Sequence, residues 1–316
     1  MIGFTLLLSG GLPARSFSVM ELVRIPPVKS LPAPHPLGIS GDGRTVFGQF
    51  SPGNSFVFRS GSLRRFRPAP EARALDQYVT GVSFDGSVIV GSAGGAFVWN
   101  RGSVSYPSSA RSFAVGVSSD GQSLAYYVDN NGGYQSVLKR GSTKSSVDGL
   151  APVAVSGDGT TLVGNLTIEG NLVAHTFKNG SLTKLSLDST FVDSIASGVD
   201  AKGSVVVGSA VNRFGTAACV WKDGVFAKLP CGSALTSLAK CVSSDGKVIG
   251  GFTGTEAAIW DDTRTRITVD DLLGNPSGWK FESVNGISKV GNVITITGWG
   301  HFRTKEAGYV AKVRMK

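Results

Sequence analysis

The chain has 316 residues, of which 43 are glycine and 13 are proline, and 41% are hydrophobic. Glycine at about twice its usual ~7% share, without a three-residue period, excludes collagen, and the apolar fraction excludes a disordered chain. Charged residues make up 17%, which argues against a coiled coil or helical solenoid, and the net charge is +9.

In chain order, the first feature is an apolar run from Ile2 to Leu12. It is too short to cross a bilayer. No Lys or Arg precedes it, so it lacks the positive segment of a secretion signal. Residues 1–17 are therefore set apart as an extension, either an extra strand or a weak signal-like segment. Ser18–Ile25, ahead of Pro26 and Pro27, reads as a strand with no partner of its own.

The chain then repeats itself. Ser40-Gly-Asp-Gly43 recurs as Ser83-Phe-Asp-Gly86, Ser118-Ser-Asp-Gly121, Ser156-Gly-Asp-Gly159 and Ser243-Ser-Asp-Gly246. Two degenerate copies, Asp200-Ala-Lys-Gly203 and Ser288-Lys-Val-Gly291, fit the same frame. Successive frame glycines lie 43, 35, 38, 44, 43 and 45 residues apart, close to the ~40–45-residue period of four-stranded propeller blades. Within a unit, Asp-Gly turns the chain into a β-branched run such as Val88–Val90 or Val205–Val207. A variable loop follows, then a third strand ending near an aromatic: Phe58, Trp99, Phe177, Trp221 or Trp260. A second turn leads to a more polar fourth strand, such as Ser62–Phe66 or Ser181–Leu185.

This grammar predicts an all-β fold: a seven-bladed β-propeller of four-stranded antiparallel blades, forming one domain over residues 18–316. The seventh unit runs out before its fourth strand, so residues 18–27 are expected to complete the last blade and close the ring. The glycine before Val/Ile-Ser, at Gly81, Gly116 and Gly198, suits a crowded axis. Cys241 takes that place in the sixth unit, and Cys219 takes the slot of Phe97 and Ile259, so both are expected in the core.

The units resemble the HAF-type extracellular repeat, roughly Gly-Val/Ile-Ser-x-Asp-Gly-x-Val-Val-Gly, a loop, then Ala-Phe-x-Trp. The stretch Asp270–Leu273, Ser277–Trp279 and Val284–Ser288 is similar to a final repeat of that family. The resemblance covers about residues 37–313. It implies a propeller with a secreted or surface location, and it brings no catalytic residues with it. The last unit departs from the pattern by lacking the acidic turn residue and by having Ala311 where other units carry an aromatic.

The chemistry-bearing residues are sparse. Three cysteines and three histidines, His35, His175 and His301, show no zinc spacing, so no metal and no cofactor is expected. One aspartate per Ser-x-Asp-Gly supplies too few oxygens for calcium; side-chain hydrogen bonding in a tight turn explains the motif. Basic charge is spread, with its densest group at Arg64, Arg65, Arg67 and Arg73. This suits solubility or anionic partners but not a specific nucleic-acid reader, and no membrane insertion is expected.

The loops between strands two and three vary most. They are expected on one rim of the ring, where a rigid scaffold concentrates function. The candidate binding residues there are Asn130, Asn131, Tyr134, Arg213, Phe214, Trp299, His301 and Arg303. The sequence reading is a non-catalytic interaction or structural module on an extracellular particle, such as a receptor-binding or assembly part of a bacteriophage tail or virion. A secreted envelope protein binding glycans and a rim-sited glycoside hydrolase are the alternatives. The partners would be proteins of a larger assembly or surface glycans, and self-association into a homo-oligomer stays open.

Overall fold

Each Ser-x-Asp-Gly turn closes on itself. Ser83 Oγ donates to Asp85 Oδ1 at 2.9 Å and accepts from the Val88 amide at 3.0 Å. The Asp85 carboxylate accepts from the Ser87 amide at 2.9 Å. Gly86 sits at φ 72°, where a side chain would be strained. The turns at Ser40, Ser118, Ser156 and Ser243 repeat the pattern. In the fifth copy Asp200 replaces the serine, and its Oδ1 accepts from the Ser204 and Val205 amides at 2.8 and 3.0 Å. The motif is a turn.

The structure, a computed structural model, describes residues 17–51, 53–68, 77–108, 110–129 and 133–316. Its strands form seven four-stranded antiparallel sheets. In six of them the strands follow chain order, blades 1 to 6 spanning residues 35–65, 77–105, 112–148, 151–184, 193–228 and 237–268, as in blade 2: Gln77–Val82, Val88–Ala93, Ala96–Asn100 and Ser103–Ser105. Blade 7 combines Trp279–Val290, Val293–Phe302 and Lys305–Met315 with the N-terminal strand Phe17–Arg24 as its outermost member. That strand pairs antiparallel with Lys305–Met315, from Phe17 opposite Met315 to Arg24 opposite Tyr309. Ile25 is fully buried beyond it, and its amide donates to the Gly308 carbonyl at 2.9 Å. The ring is thus closed by the N-terminal strand, as expected. Of the extension over residues 1–17, residues 1–16 lie outside the described residues, and Phe17 already belongs to the closing strand.

Glycines stand where backbone meets backbone. A Cβ on Gly81 would lie 3.0 Å from the Gly116 Cα, and one on Gly286 would lie 2.9 Å from the Gly38 Cα. Both are points where the first strands of neighbouring blades touch. These strands contact one another all the way round the ring. A second glycine set lies in strand two. Side chains on Gly91, Gly208, Gly251 and Gly298 would collide with the Tyr78, Ile195, Leu238 and Ser283 carbonyl oxygens of strand one.

Between blades, the aromatic of strand three fills the wedge. Trp221 and Trp260 are fully buried, and their indole N–H groups donate to the Ser186 and Pro230 carbonyls at 2.6 and 2.8 Å. Both acceptors follow the outer strand of the preceding blade. Trp260 joins Val205, Val207, Val220 and Ile249 in one cluster shared by blades 5 and 6. Burying such side chains stabilises the ring by roughly 2–3 kcal/mol each.

Two expectations need correction. Ile259 does not share the Cys219 slot. It pairs with Gly250, whereas Cys219 and Phe97 pair with Gly208 and Gly91. Ala258-Ile-Trp260 has one residue fewer between alanine and tryptophan, so Ala258 takes that slot. Ala311 does take the place of Trp99 and Trp221, opposite Ile296, and blade 7 carries its buried aromatic in the Phe97 slot instead, where Tyr309 pairs with Gly298. Finally, Asn165–Ile168, Val211–Asn212 and Trp299–Phe302 are strand rather than loop, because strands two and three extend to tight hairpins. Cys219 is fully buried, and burial drives its thiol pKa far up. Burial pushes Cys241 up to about 12.

Candidate functional site

The strand-two to strand-three hairpins gather on one rim, opposite the Ser-x-Asp-Gly turns. The expected residues fall there in three places. On blade 3, Tyr134 is exposed and meets Tyr127 edge-on with ring centres 5.9 Å apart. Tyr127 stacks on Phe113 at 5.0 Å, and the Arg111 guanidinium lies 5.7 Å from the Phe113 ring while pairing with Asp129 at 3.5 Å. Asn130 and Asn131 lie outside the described residues. On blade 5, Phe214 is 69% exposed, with the Arg213 guanidinium 4.6 Å from its ring centre.

The third place, the seam between blades 7 and 1, is the densest. Trp299 and His301 lie two apart in one strand and so share a face. Trp299 packs against His35 of blade 1 at 5.5 Å. His301 Nδ1 lies 3.0 Å from Glu282 Oε1, and Lys280 approaches the same carboxylate at 3.9 Å. His35 Nε2 lies 3.4 Å from Glu306 Oε2. Arg303, at φ 59° in the hairpin, holds its guanidinium 5.5 Å from the Phe302 ring. Arg24 of the closing strand stands 5.1 Å from the same ring, and Trp279 lies beside it at 5.2 Å.

The seam therefore combines aromatic surface with two imidazole–carboxylate pairs and two guanidinium groups. Both carboxylates have cationic or ionisable partners, and this arrangement can hydrogen-bond hydroxyls and stack on apolar ring faces. Sequence reasoning missed His35, Lys280, Glu282, Glu306, Arg24 and Trp279. The register pairs Lys280 with His301 and His301 with Glu306. Tracing alternation through Val293–Phe302 would have aligned those three. His35 and Arg24 come from the other end of the chain and meet the seam only through ring closure. His175, by contrast, is buried, with Nδ1 2.9 Å from the Val173 carbonyl.

On the turn rim a groove of 580 Å³ opens between blades 5 and 6, lined by Lys202, Lys222, Lys247, Arg264, Asp245 and Asp261. Asp245 pairs with Lys289, and Asp261 accepts from the Thr263 and Thr265 amides at 3.0 and 2.9 Å. Among the described residues no group of three or more His, Cys, Asp or Glu could hold a metal ion, and no helix is long and apolar enough to cross a membrane.

No protein-family model matches the chain, and no curated protein sequence matches it. Solved structures do. The β-propeller domain of the Trilobed protease from Pyrococcus furiosus, which has an open velcro topology, is 10% identical with a TM-score of 0.59 and covers 89% of this chain and 94% of its own. A putative TolB from Agrobacterium tumefaciens is 15% identical with a TM-score of 0.46, over 96% of this chain and 99% of that one. TolB from Acinetobacter baumannii is 14% identical with a TM-score of 0.45, over 85% and 80%. At such identities the likeness is one of fold, and it rests on the Pyrococcus domain.

Proposed function

We propose that this propeller is a non-catalytic binding module that takes a surface glycan on the seam between blades 7 and 1, as a receptor-binding part of an extracellular particle such as a phage tail or virion. The observation that carries the reading is the seam itself. Trp299, Trp279 and Phe302 offer apolar ring faces beside His301–Glu282 and His35–Glu306, whose polar atoms suit hydroxyl groups. The HAF-type resemblance of the repeats supports a surface setting.

A glycan array probed with the wild type and with a Trp299→Ala/His301→Ala/Arg303→Ala variant tests this, alongside a panel of chromogenic glycosides. The expected result is selective glycan binding, at least tenfold weaker in the triple variant, with no glycoside turned over. Equal binding by the variant, or turnover of a glycoside, contradicts the reading.

A further inference from the structure

The first strands of the blades share a feature that neither rim explains. Each one breaks register with its second strand at one common level, skipping Leu37, Thr80, Val115, Val153, Ser197, Lys240 and Asn285 in blades 1 to 7, and blade 7 breaks register a second time at Glu282. Such a bulge frees one side chain from the ladder and re-aims it. Because the first strands touch in a closed ring, solvent reaches their middle only along the axis. Six of the seven residues are half-buried there and Leu37 is exposed, while in blades 1, 2, 3, 5 and 7 the residues on either side of the bulge are buried.

The collar is uneven. Ser197, Lys240 and Asn285 form a polar sector across blades 5 to 7. Leu37 supplies exposed apolar surface beside it, and Val115 and Val153, which also pack against the inter-blade clusters, add partly buried apolar edges opposite. Lys240 is the sole charged member. Its ammonium donates to Ser283 Oγ at 3.1 Å and Asn285 Oδ1 at 3.0 Å, and lies 5.4 Å from the Phe252 ring centre. Asn285 is itself fixed, donating to the Pro36 carbonyl at 2.8 Å.

An ammonium has three donors, and the two acceptors here are neutral. Among the described residues no carboxylate oxygen lies within 4.0 Å of Lys240. The neighbouring Glu282 is turned to His301 and Lys280 instead. Burial draws the Lys240 pKa below the ordinary lysine range.

We propose that the propeller axis binds a monocarboxylate with an apolar tail, its carboxylate on Lys240 between Ser197 and Asn285 and its tail against Leu37, Val115 and Val153. The carboxylate belongs either to a small free acid or to the C-terminus of a peptide.

Calorimetric titration of the full chain tests this with hexanoate, acetate, hexylamine, and N-acetyl-Ala-Val-Leu as the free acid and as its amide. Hexanoate or the peptide acid is expected to bind the wild type and Lys240→Arg. It should bind Lys240→Met, which keeps the apolar stem, at least tenfold more weakly. Leu37→Asn should weaken hexanoate but not acetate. Hexanoate binding alone assigns a free acid, and peptide binding that is lost in the amide assigns a chain terminus. If neither acid binds the wild type at millimolar concentration, the proposal falls. It falls equally if hexylamine binds as well as hexanoate, a comparison that needs no variant to fold, or if a folded Lys240→Met binds unchanged.

Discussion

The two rims of this ring solve different problems. On the turn rim the chain repeats one device: the frame glycines of six of the seven turns sit at φ 72–75°. Neighbouring turns are tied by main-chain bonds, with the Asp42 amide on Phe84 O at 2.9 Å, Phe84 on Ser119 O at 3.0 Å and Ser119 on Gly157 O at 2.8 Å. On the other rim each hairpin differs, from Gly94-Gly95 to Arg213-Phe214 to Arg303-Thr304. Side chains there make contacts of their own kind in each blade, Tyr134 on Tyr127 in blade 3 and Trp299 on His35 at the seam. Repetition marks what holds the ring together, and departure from it marks where a partner can be read.

Breaking the ring at its join should have the largest effect. Deleting residues 1–27 removes the outer strand of blade 7 and the buried Ile25, so loss of the cooperative melting transition, with aggregation on size exclusion, is expected. An unchanged Tm would refute the closure.

The glycines sharpen the contrast within one blade type. Gly91→Ala drives a methyl into the Tyr78 carbonyl and should cost about 3 kcal/mol in denaturant unfolding. Gly61→Ala, at φ 77° with nothing within 4 Å, should cost about 1 kcal/mol. Equal costs would remove the close-approach argument.

Ser83→Ala strips the buried Val88 amide of its acceptor and should cost about 1–2 kcal/mol, whereas Phe214→Ala on the other rim should stay within about 0.5 kcal/mol.

Acid gives the smallest graded effect. The Ser87 backbone amide, with help from the Ser87 and Ser83 hydroxyls, lowers Asp85 from 3.8 to about 2. Asp120, Asp158 and Asp245 are also lowered: burial opposes the shift, but it is outweighed at Asp120 and Asp158 by serine hydroxyls and backbone amides with help from Arg140 and Lys178, and at Asp245 first by the Lys289 ammonium and then by the Ser243 hydroxyl. A depressed carboxylate stabilises the fold above its unfolded pKa and loses that contribution as pH falls through the folded one. Stability should therefore decline from about pH 4 towards pH 2, and Asp85→Asn should flatten that slope. A slope unchanged in Asp85→Asn would contradict the assignment.

Much of this was legible because each blade restates the same local chemistry. Ser, Asp and Gly at fixed offsets specify a turn whoever the neighbours are, and the spare strand before Pro26 had only one sheet lacking a fourth member. Blade 3 shows where pattern reading weakens. Tyr126 stands in the strand-two slot that is glycine in the other blades, and its partner is Val137 where blade 2 has Phe97. The bulky ring has changed strands while the wedge stays filled. The seam was illegible for a different reason. Arg24 and His35 lie more than 240 positions from Lys280–Glu306, and only closure of the circle brings them together.

Amide hydrogen exchange on Phe17–Ile25 addresses the join most directly. Protection of these amides matching that of Lys305–Met315, and lost together with it under mild denaturant, is the result expected of a ring sealed by its own first strand. Rapid exchange there, with Lys305–Met315 still protected, would show a blade completed without it.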